Sequence, residues 1–307
     1  MAANPRGVYA AILTPFNANL EPDLGAFVNH ARWLLANGCD GLAPLGTTGE
    51  ANSLSLKQRM RIIEATMTKL PVERCIVGAG SCALADAVQL AREATAAGAG
   101  GVLMLPPFYY KEPSEDGLFA FFAAVIERVA DRRLRLYLYH FPQLSTVPMT
   151  SSLIRRLQRE FGDTIAGLKD SGGDWGYSAA LLKEFPGFAV FSGSEQYLLD
   201  NLRAGGVGTI SASVNVTAPL AHPVFRHWRT PKAESLQARL TAVRVLFQHY
   251  PLISGLKETL ALISGNAAWR AMLPPNVPLG AADAAALKAQ LAELPAMQPV
   301  IAAARAA

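Results

Sequence analysis

Three places in the sequence combine reactive residue types with positions where chemistry can be done. The first is Lys169, which closes the apolar run IAGLK. A lysine at the end of a buried strand is partly desolvated, which disfavours the ammonium and frees the amine to attack a carbonyl carbon. A rim lysine paired with its neighbour Asp170 fits the same position. The second is Tyr139, near the end of the preceding run LRLYLYHFP. A phenol there can pass protons to and from an intermediate, or it can be a packed tyrosine whose hydroxyl is met by backbone. The third is Gly46-Thr47-Thr48-Gly49-Glu50. Two glycines permit a tight turn whose N–H groups face one way, and two hydroxyls add donors, enough to cradle a carboxylate. A plain loop, with Glu50 acting at the start of the next helix, is the competing account.

Short apolar runs at 8–15, 41–46, 75–80, 101–107, 134–142, 165–170, 188–193 and 206–212 must position these groups. The runs are almost continuously apolar rather than alternating, as parallel strands covered on both faces are. Segments of helical period separate them, for example 24–37, 56–70, 83–97 and 118–129. Ser55 and Ser152 stand as caps at the starts of two helices. Eight strands in strict alternation with helices predict an α/β fold, a (β/α)8 TIM barrel over residues 1–215. Beyond the last run no further strand is expected. Residues 216–307 are expected to form a helical extension packed on the barrel, ending in a frayed IAAARAA tail. A doubly wound sheet would place a glycine-rich phosphate turn after its first strand, where this chain has Thr14-Pro15-Phe16.

The 307 residues suit one large barrel, and 51% hydrophobic against 17% charged residues supply its core. A net charge of +4 is scattered, with Arg128, Arg132, Arg133 and Arg135 broken up by Glu127 and Asp131, so no nucleic-acid partner is expected. The apolar stretch 118–126 falls far short of the roughly 20 residues of a membrane span. The N-terminal MAANPRGVYA lacks a signal-peptide pattern, and Cys39, Cys75 and Cys82 form no CxxC pair. A soluble, cytoplasmic protein is expected. His222 and His227 have no HExxH context and no metal or other cofactor is expected, while His140 lies near the barrel mouth.

Amine, phenol and carboxylate cradle together are the equipment of a Schiff-base enzyme acting on a 2-oxo acid. With AILTPF, GTTGE, PPFYYKEPSEDGL, YLYHFP, GLKDSGGD, FSGSE and GVGTISASVNV in this order, the chain resembles the dihydrodipicolinate synthase and N-acetylneuraminate lyase family of class I, pyruvate-dependent aldolases. The resemblance spans essentially the whole chain. It implies a homotetramer built as a dimer of dimers, with Lys169 forming an imine with pyruvate. It implies further that Tyr139 transfers protons, that Thr47 relays them, and that Thr48 with the backbone of Gly46 and Gly49 holds the pyruvate carboxylate. Ile210 would line the same pocket through its backbone. Tyr109, or its neighbour Tyr110, would reach across the dimer interface to complete the relay.

One departure bears on the second substrate. Synthases of this family carry an arginine shortly after Tyr-x-x-Pro, whereas this chain has Tyr139-His140-Phe141-Pro142-Gln143-Leu144-Ser145 and no arginine before Arg155. A buried carboxylate without its bidentate partner is disfavoured. Hydroxyl-rich aldehydes would be met by His140, Gln143, Ser145 and Ser171. An aldolase or lyase of 2-oxo-3-deoxy sugar acids is therefore expected. The lysine-pathway synthase acting on aspartate semialdehyde is the alternative, followed by a sugar-acid dehydratase or a non-catalytic 2-oxo-acid binder.

Overall fold

The structure, a computed structural model, describes residues 5–305; the first four residues of the N-terminal stretch and the last two of the tail lie outside the described residues. The strands are β1 (Gly7–Ala10), β2 (Gly41–Leu42), β3 (Ile76–Gly78), β4 (Gly101–Met104), β5 (Leu136–His140), β6 (Ile165–Asp170), β7 (Ala189–Ser192) and β8 (Gly208–Ser211). All pair in parallel in the order β2-β1-β8-β7-β6-β5-β4-β3, and a parallel bridge from Leu42 to Cys75 joins the two ends. Eight parallel strands closed in this way, ringed by helices, are the expected (β/α)8 barrel.

The helices between strands are α1 (Leu24–Ala36), α2 (Leu56–Lys69), α3 (Leu84–Ala96), α4 (Glu115–Val129), α5 (Pro142–Ser145), α6 (Ser151–Phe161), α7 (Trp175–Glu184) and α8 (Leu198–Arg203). Ser55 caps α2 in a full capping box with Gln58. The cap of α6 is Thr150 rather than Ser152, whose hydroxyl instead donates to Glu115 Oε1 at 2.9 Å. A hydroxyl two residues earlier competes successfully because its oxygen accepts from Leu153 N–H, the third residue of the helix.

Helices α9 (Val214–His227), α10 (Ala233–Leu246), α11 (Leu252–Ser264), α12 (Ala281–Glu293) and α13 (Gln298–Arg305) follow β8. The boundary expected at 215/216 falls inside α9. Asn215 there accepts from Leu13 N–H and donates to the Ala11 carbonyl, so α9 is bonded to the first strand's exit as the barrel helix that follows β8. The extension starts at α10. The tail expected to be frayed is helical up to Arg305: α13 packs on α9 and α11, with its own Val300 and the preceding Met297 buried.

Strand residues alternate between two apolar layers. Val8, Val102, Leu136, Leu138 and Val190 face the helices, while Tyr9, Leu103, Tyr137, Tyr139, Phe191 and Ile210 fill the barrel. Both layers are apolar, which is why the runs show no alternation in sequence. The barrel floor is filled by the ring of Tyr137, and glycine is required beside it. A Cβ at Gly101 or Gly167 would come within 2.5 or 2.8 Å of that ring. Among the described residues no helix is long and apolar enough to cross a membrane.

Two buried histidines couple this packing to pH. His30 bonds Asn215 Oδ1 at 3.0 Å between Trp33 and Trp269, and burial lowers its pKa to about 4. His140 accepts from Met149 N–H at 3.1 Å through Nδ1 and stacks on Tyr177; burial lowers it also to about 4. The unfolded chain, titrating near 6.5, binds the extra protons between these values, so stability falls as pH drops from 6.5 towards 4. Each histidine contributes a slope of about 1.4 kcal/mol per pH unit in that window. Urea midpoints measured from pH 7 to 4.5 should fall accordingly, and His30→Gln should remove about half of the decline; an unchanged profile in that variant would refute the assignment to His30.

Candidate active site

Strand register assembles the centre. β5 lies against β6 with Tyr139 opposite Lys169 and His140 opposite Asp170. Paired residues of neighbouring parallel strands point to the same face about 4.8 Å apart. Tyr139 and Lys169 therefore both face the barrel interior at its C-terminal mouth, each 3% exposed. Lys169 Nζ donates to the Tyr139 hydroxyl at 3.2 Å and sits 4.3 Å from its ring centroid. The Thr47 hydroxyl is 3.5 Å from the same phenol oxygen. Burial alone would raise the Tyr139 pKa. The charge of Lys169, with hydrogen bonds from Thr47, Ser171 and Lys169, outweighs burial and holds the phenol below its ordinary value.

Asp170 is not the partner of Lys169. Its Oδ2 accepts from Ser178 at 2.6 Å and its Oδ1 from Gly172 N–H at 2.8 Å. Burial raises its pKa against both hydrogen bonds. The account of Lys169 as half of a surface ion pair is thereby excluded by geometry.

The Gly46–Glu50 turn follows β2 with Leu45 and Glu50 both in the left-handed region, at φ +61° and +55°. Its internal bonds run from Gly49 N–H to Gly46 O at 3.1 Å and from Glu50 N–H to Thr47 O at 3.0 Å. Among the described residues the N–H groups of Thr47 and Thr48 have no acceptor in the chain. A side chain at Gly49 would press on Ile12 O at 3.0 Å, whereas Gly46 faces open space. Glu50 precedes the short helical turn Ala51–Ser53, but its side chain makes no capping bond to it. Its carboxylate pairs with Lys257 at 2.5 Å and accepts from Leu273 N–H at 2.9 Å, binding the turn to the extension. The left-handed conformation of a non-glycine residue costs about 1–2 kcal/mol.

The mouth opens into a cavity of about 700 Å³, lined by Thr47, Thr48, Tyr139, Lys169 and Ser171 together. Other expected site residues are placed differently. His140 is buried with its ring against Tyr177 and does not line the cavity. Gln143 Nε2 donates to the Gly172 carbonyl, tying α5 to the loop after β6, and Ser145 turns inward onto Phe141 O and Val147 O. Ile210 is fully buried within the apolar layer that fills the barrel and does not line the cavity. Tyr109 and Tyr110 stack edge to face at 5.3 Å on the surface, 70% and 80% exposed and away from this chain's cavity. Among the described residues, no three His, Cys, Asp or Glu side chains converge as a metal-ligating group.

The profile of the Dihydrodipicolinate synthetase family matches residues 4–294. The chain belongs to this family of aldolases and lyases. An uncharacterized DapA-like lyase of Chloroflexus aurantiacus is 36% identical over 94% of this chain and 96% of its own length. The crystal structure of dihydrodipicolinate synthase from Agrobacterium tumefaciens superposes with a TM-score of 0.87 at 30% identity, covering 94% of this chain and 99% of that one. YagE from E. coli K12, a prophage protein of the dihydrodipicolinic acid synthase family solved in complex with pyruvate, gives 0.86 at 27% identity, covering 95% and 99%.

In this member of the family the cavity also has walls that local sequence patterns do not announce. Trp175 and Tyr197 stack at 6.0 Å on one side, Ser192 and Ser194 come from the end of β7, and Asn276 and Arg244 come from the C-terminal region. Trp175 and Arg244 are ordinary members of amphipathic helices by sequence; only the docking of those helices turns them towards the mouth.

Proposed function

We propose that the chain is a class I, Schiff-base-forming, pyruvate-dependent aldolase or lyase that makes or breaks a C–C bond in a 2-oxo-3-deoxy sugar acid or a related 2-oxo acid. The observation that carries this is the contact of Lys169 Nζ with the Tyr139 hydroxyl at 3.2 Å, inside a cavity that also presents the free N–H groups of Thr47 and Thr48. The substrate carboxylate rests on that turn. After Lys169 passes its ammonium proton to Tyr139, the freed amine adds to the C2 carbonyl, and Tyr139 returns the proton with which the oxygen leaves as water, giving a protonated imine. In cleavage, the C4 hydroxyl yields its proton to Tyr139, the C3–C4 electron pair moves into the imine, and an aldehyde departs. The resulting enamine takes a proton at C3, and water hydrolyses the imine to free pyruvate and Lys169. Thr47, 3.5 Å from Tyr139, passes the proton onwards.

Sugar-derived hydroxyls find partners in Ser171, Ser192, Ser194 and Asn276, which line the cavity, rather than in His140 and Gln143, which do not. Retro-aldol release of pyruvate from a panel of 2-oxo-3-deoxy acids should exceed condensation of pyruvate with aspartate semialdehyde by at least about tenfold in kcat/KM, or about 1.4 kcal/mol. Efficient condensation would replace this reading with that of 4-hydroxy-tetrahydrodipicolinate synthase, which the cationic Arg244 on the cavity wall favours. The proposal includes a cytoplasmic homotetramer, in keeping with three free thiols and with the exposed Tyr109–Tyr110 pair, Tyr109 being the residue offered to a neighbouring copy's site.

A further inference from the structure

Arg244 brings a guanidinium from α10 to the wall of the cavity that holds Lys169 and Tyr139. Its side chain is 14% exposed, yet among the described residues it makes no hydrogen bond. The nearest carboxylate is Glu195, whose Oε2 lies 3.7 Å from Arg244 Nε, beyond hydrogen-bond length. Nε itself is buried and without an acceptor. The Glu195 carboxylate is already occupied, Oε2 by the hydroxyls of Ser211 and Ser213 and Oε1 by that of Thr217 at 2.6 Å. Glu195 thus holds the arginine by charge without consuming its donors.

The other charged groups on the cavity wall are committed. Glu50 is paired with Lys257, and Asp170 is bonded to Ser178 and Gly172. Lys169 is engaged with Tyr139. Among the described residues of this wall, Arg244 is the cation whose donors are not used in hydrogen bonds, and its planar guanidinium matches a carboxylate or a phosphate. One turn further on, Gln248 also lines the cavity and donates to Gln196 Oε1 at 2.7 Å, bracing this wall. We propose that Arg244 receives an anionic group on the end of the second substrate remote from its carbonyl, so that the preferred substrates are 2-oxo-3-deoxy acids terminating in a carboxylate or a phosphate. The inference rests on the proposal that pyruvate occupies Lys169, and it moves the anion-binding role from the segment after Pro142 to the helical extension.

The test separates the two claims. Pyruvate is trapped on the enzyme with borohydride, and binding of D-glycerate, glycerol 3-phosphate and glycerol to the trapped protein is measured by calorimetry. Wild-type protein is expected to bind at least one of the anions at least about tenfold more tightly than glycerol, with Arg244→Gln losing that preference and Arg244→Lys retaining part of it. Preference for D-glycerate identifies a carboxylate-terminated substrate, and preference for glycerol 3-phosphate a phosphorylated one. Equal affinity for all three compounds, or an Arg244→Gln variant that binds the anions as wild type does, overturns the proposal. If pyruvate does not trap, the Lys169 mechanism fails, and the same measurements on untreated protein still decide the role of Arg244.

Discussion

Replacing Lys169 with alanine is expected to lower turnover by at least about 10⁴-fold, equivalent to about 5.4 kcal/mol of transition-state stabilisation, and to abolish covalent capture of pyruvate by borohydride. The size of the effect follows from the geometry. The amine is buried on the inner face of β6, contacts Tyr139, and is not neutralised by Asp170, which is bonded elsewhere. A lysine of the extension, Lys257, is also buried, but it is held by Glu50 and by the Ala271 carbonyl at 2.8 Å and cannot substitute. Intact-mass analysis after borohydride treatment should show one pyruvyl adduct, mapping to the peptide that contains Lys169. An adduct elsewhere, or none at saturating pyruvate, would remove the imine mechanism. The loss of activity in Lys169→Ala would then need another cause.

Tyr139→Phe is expected to reduce kcat by roughly 10²–10⁴-fold while leaving pyruvate capture at Lys169 intact. Phenylalanine retains the ring, which stacks on Phe141 at 5.8 Å, so the barrel mouth keeps its shape. What is lost is the one oxygen in contact with both Lys169 and Thr47. The split between imine formation and turnover distinguishes a proton carrier from a packing residue, because a packing role would disturb both or neither. The pH profile supplies a second readout. The Tyr139 phenol is held below its ordinary pKa by Lys169 and its hydroxyl neighbours, so a limb of the wild-type rate profile belonging to this group should appear below the pH expected of a free phenol and vanish in Tyr139→Phe. Near-native turnover in the variant would assign the proton transfer to another group.

The outcome at individual residues shows where sequence patterns carry and where they stop. Lys169 and Tyr139 were legible because they end apolar runs, and a run's end is the barrel mouth once eight strands are counted. Thr47 and Thr48 were legible from the glycines that flank them. His140 and Gln143 follow directly after Tyr139 in the chain, yet their side chains leave the cavity. Successive strand residues face opposite sides, so His140 turns outward onto Tyr177, while Gln143 sits in α5 and bonds the next loop. Adjacency in sequence was the wrong guide there. Glu50 shows the reverse: the loop motif was plain, but its carboxylate's partners, Lys257 and Leu273, lie more than 200 positions away.

Composition, apolar runs and the order of motifs determined the parallel barrel and its family resemblance, and they singled out Lys169, Tyr139 and the Gly46–Glu50 turn as candidates, because each depends on short-range pattern or on residue type. The tertiary structure decided which side of each buried strand faces inward, since both faces are apolar and the period-two signal is erased. It decided the pairing of Tyr139 with Lys169, which depends on the hydrogen-bond register between β5 and β6. It also decided that a cation from α10 reaches the substrate cavity, because no local rule in a helix's sequence states which turn of it will dock over the barrel mouth.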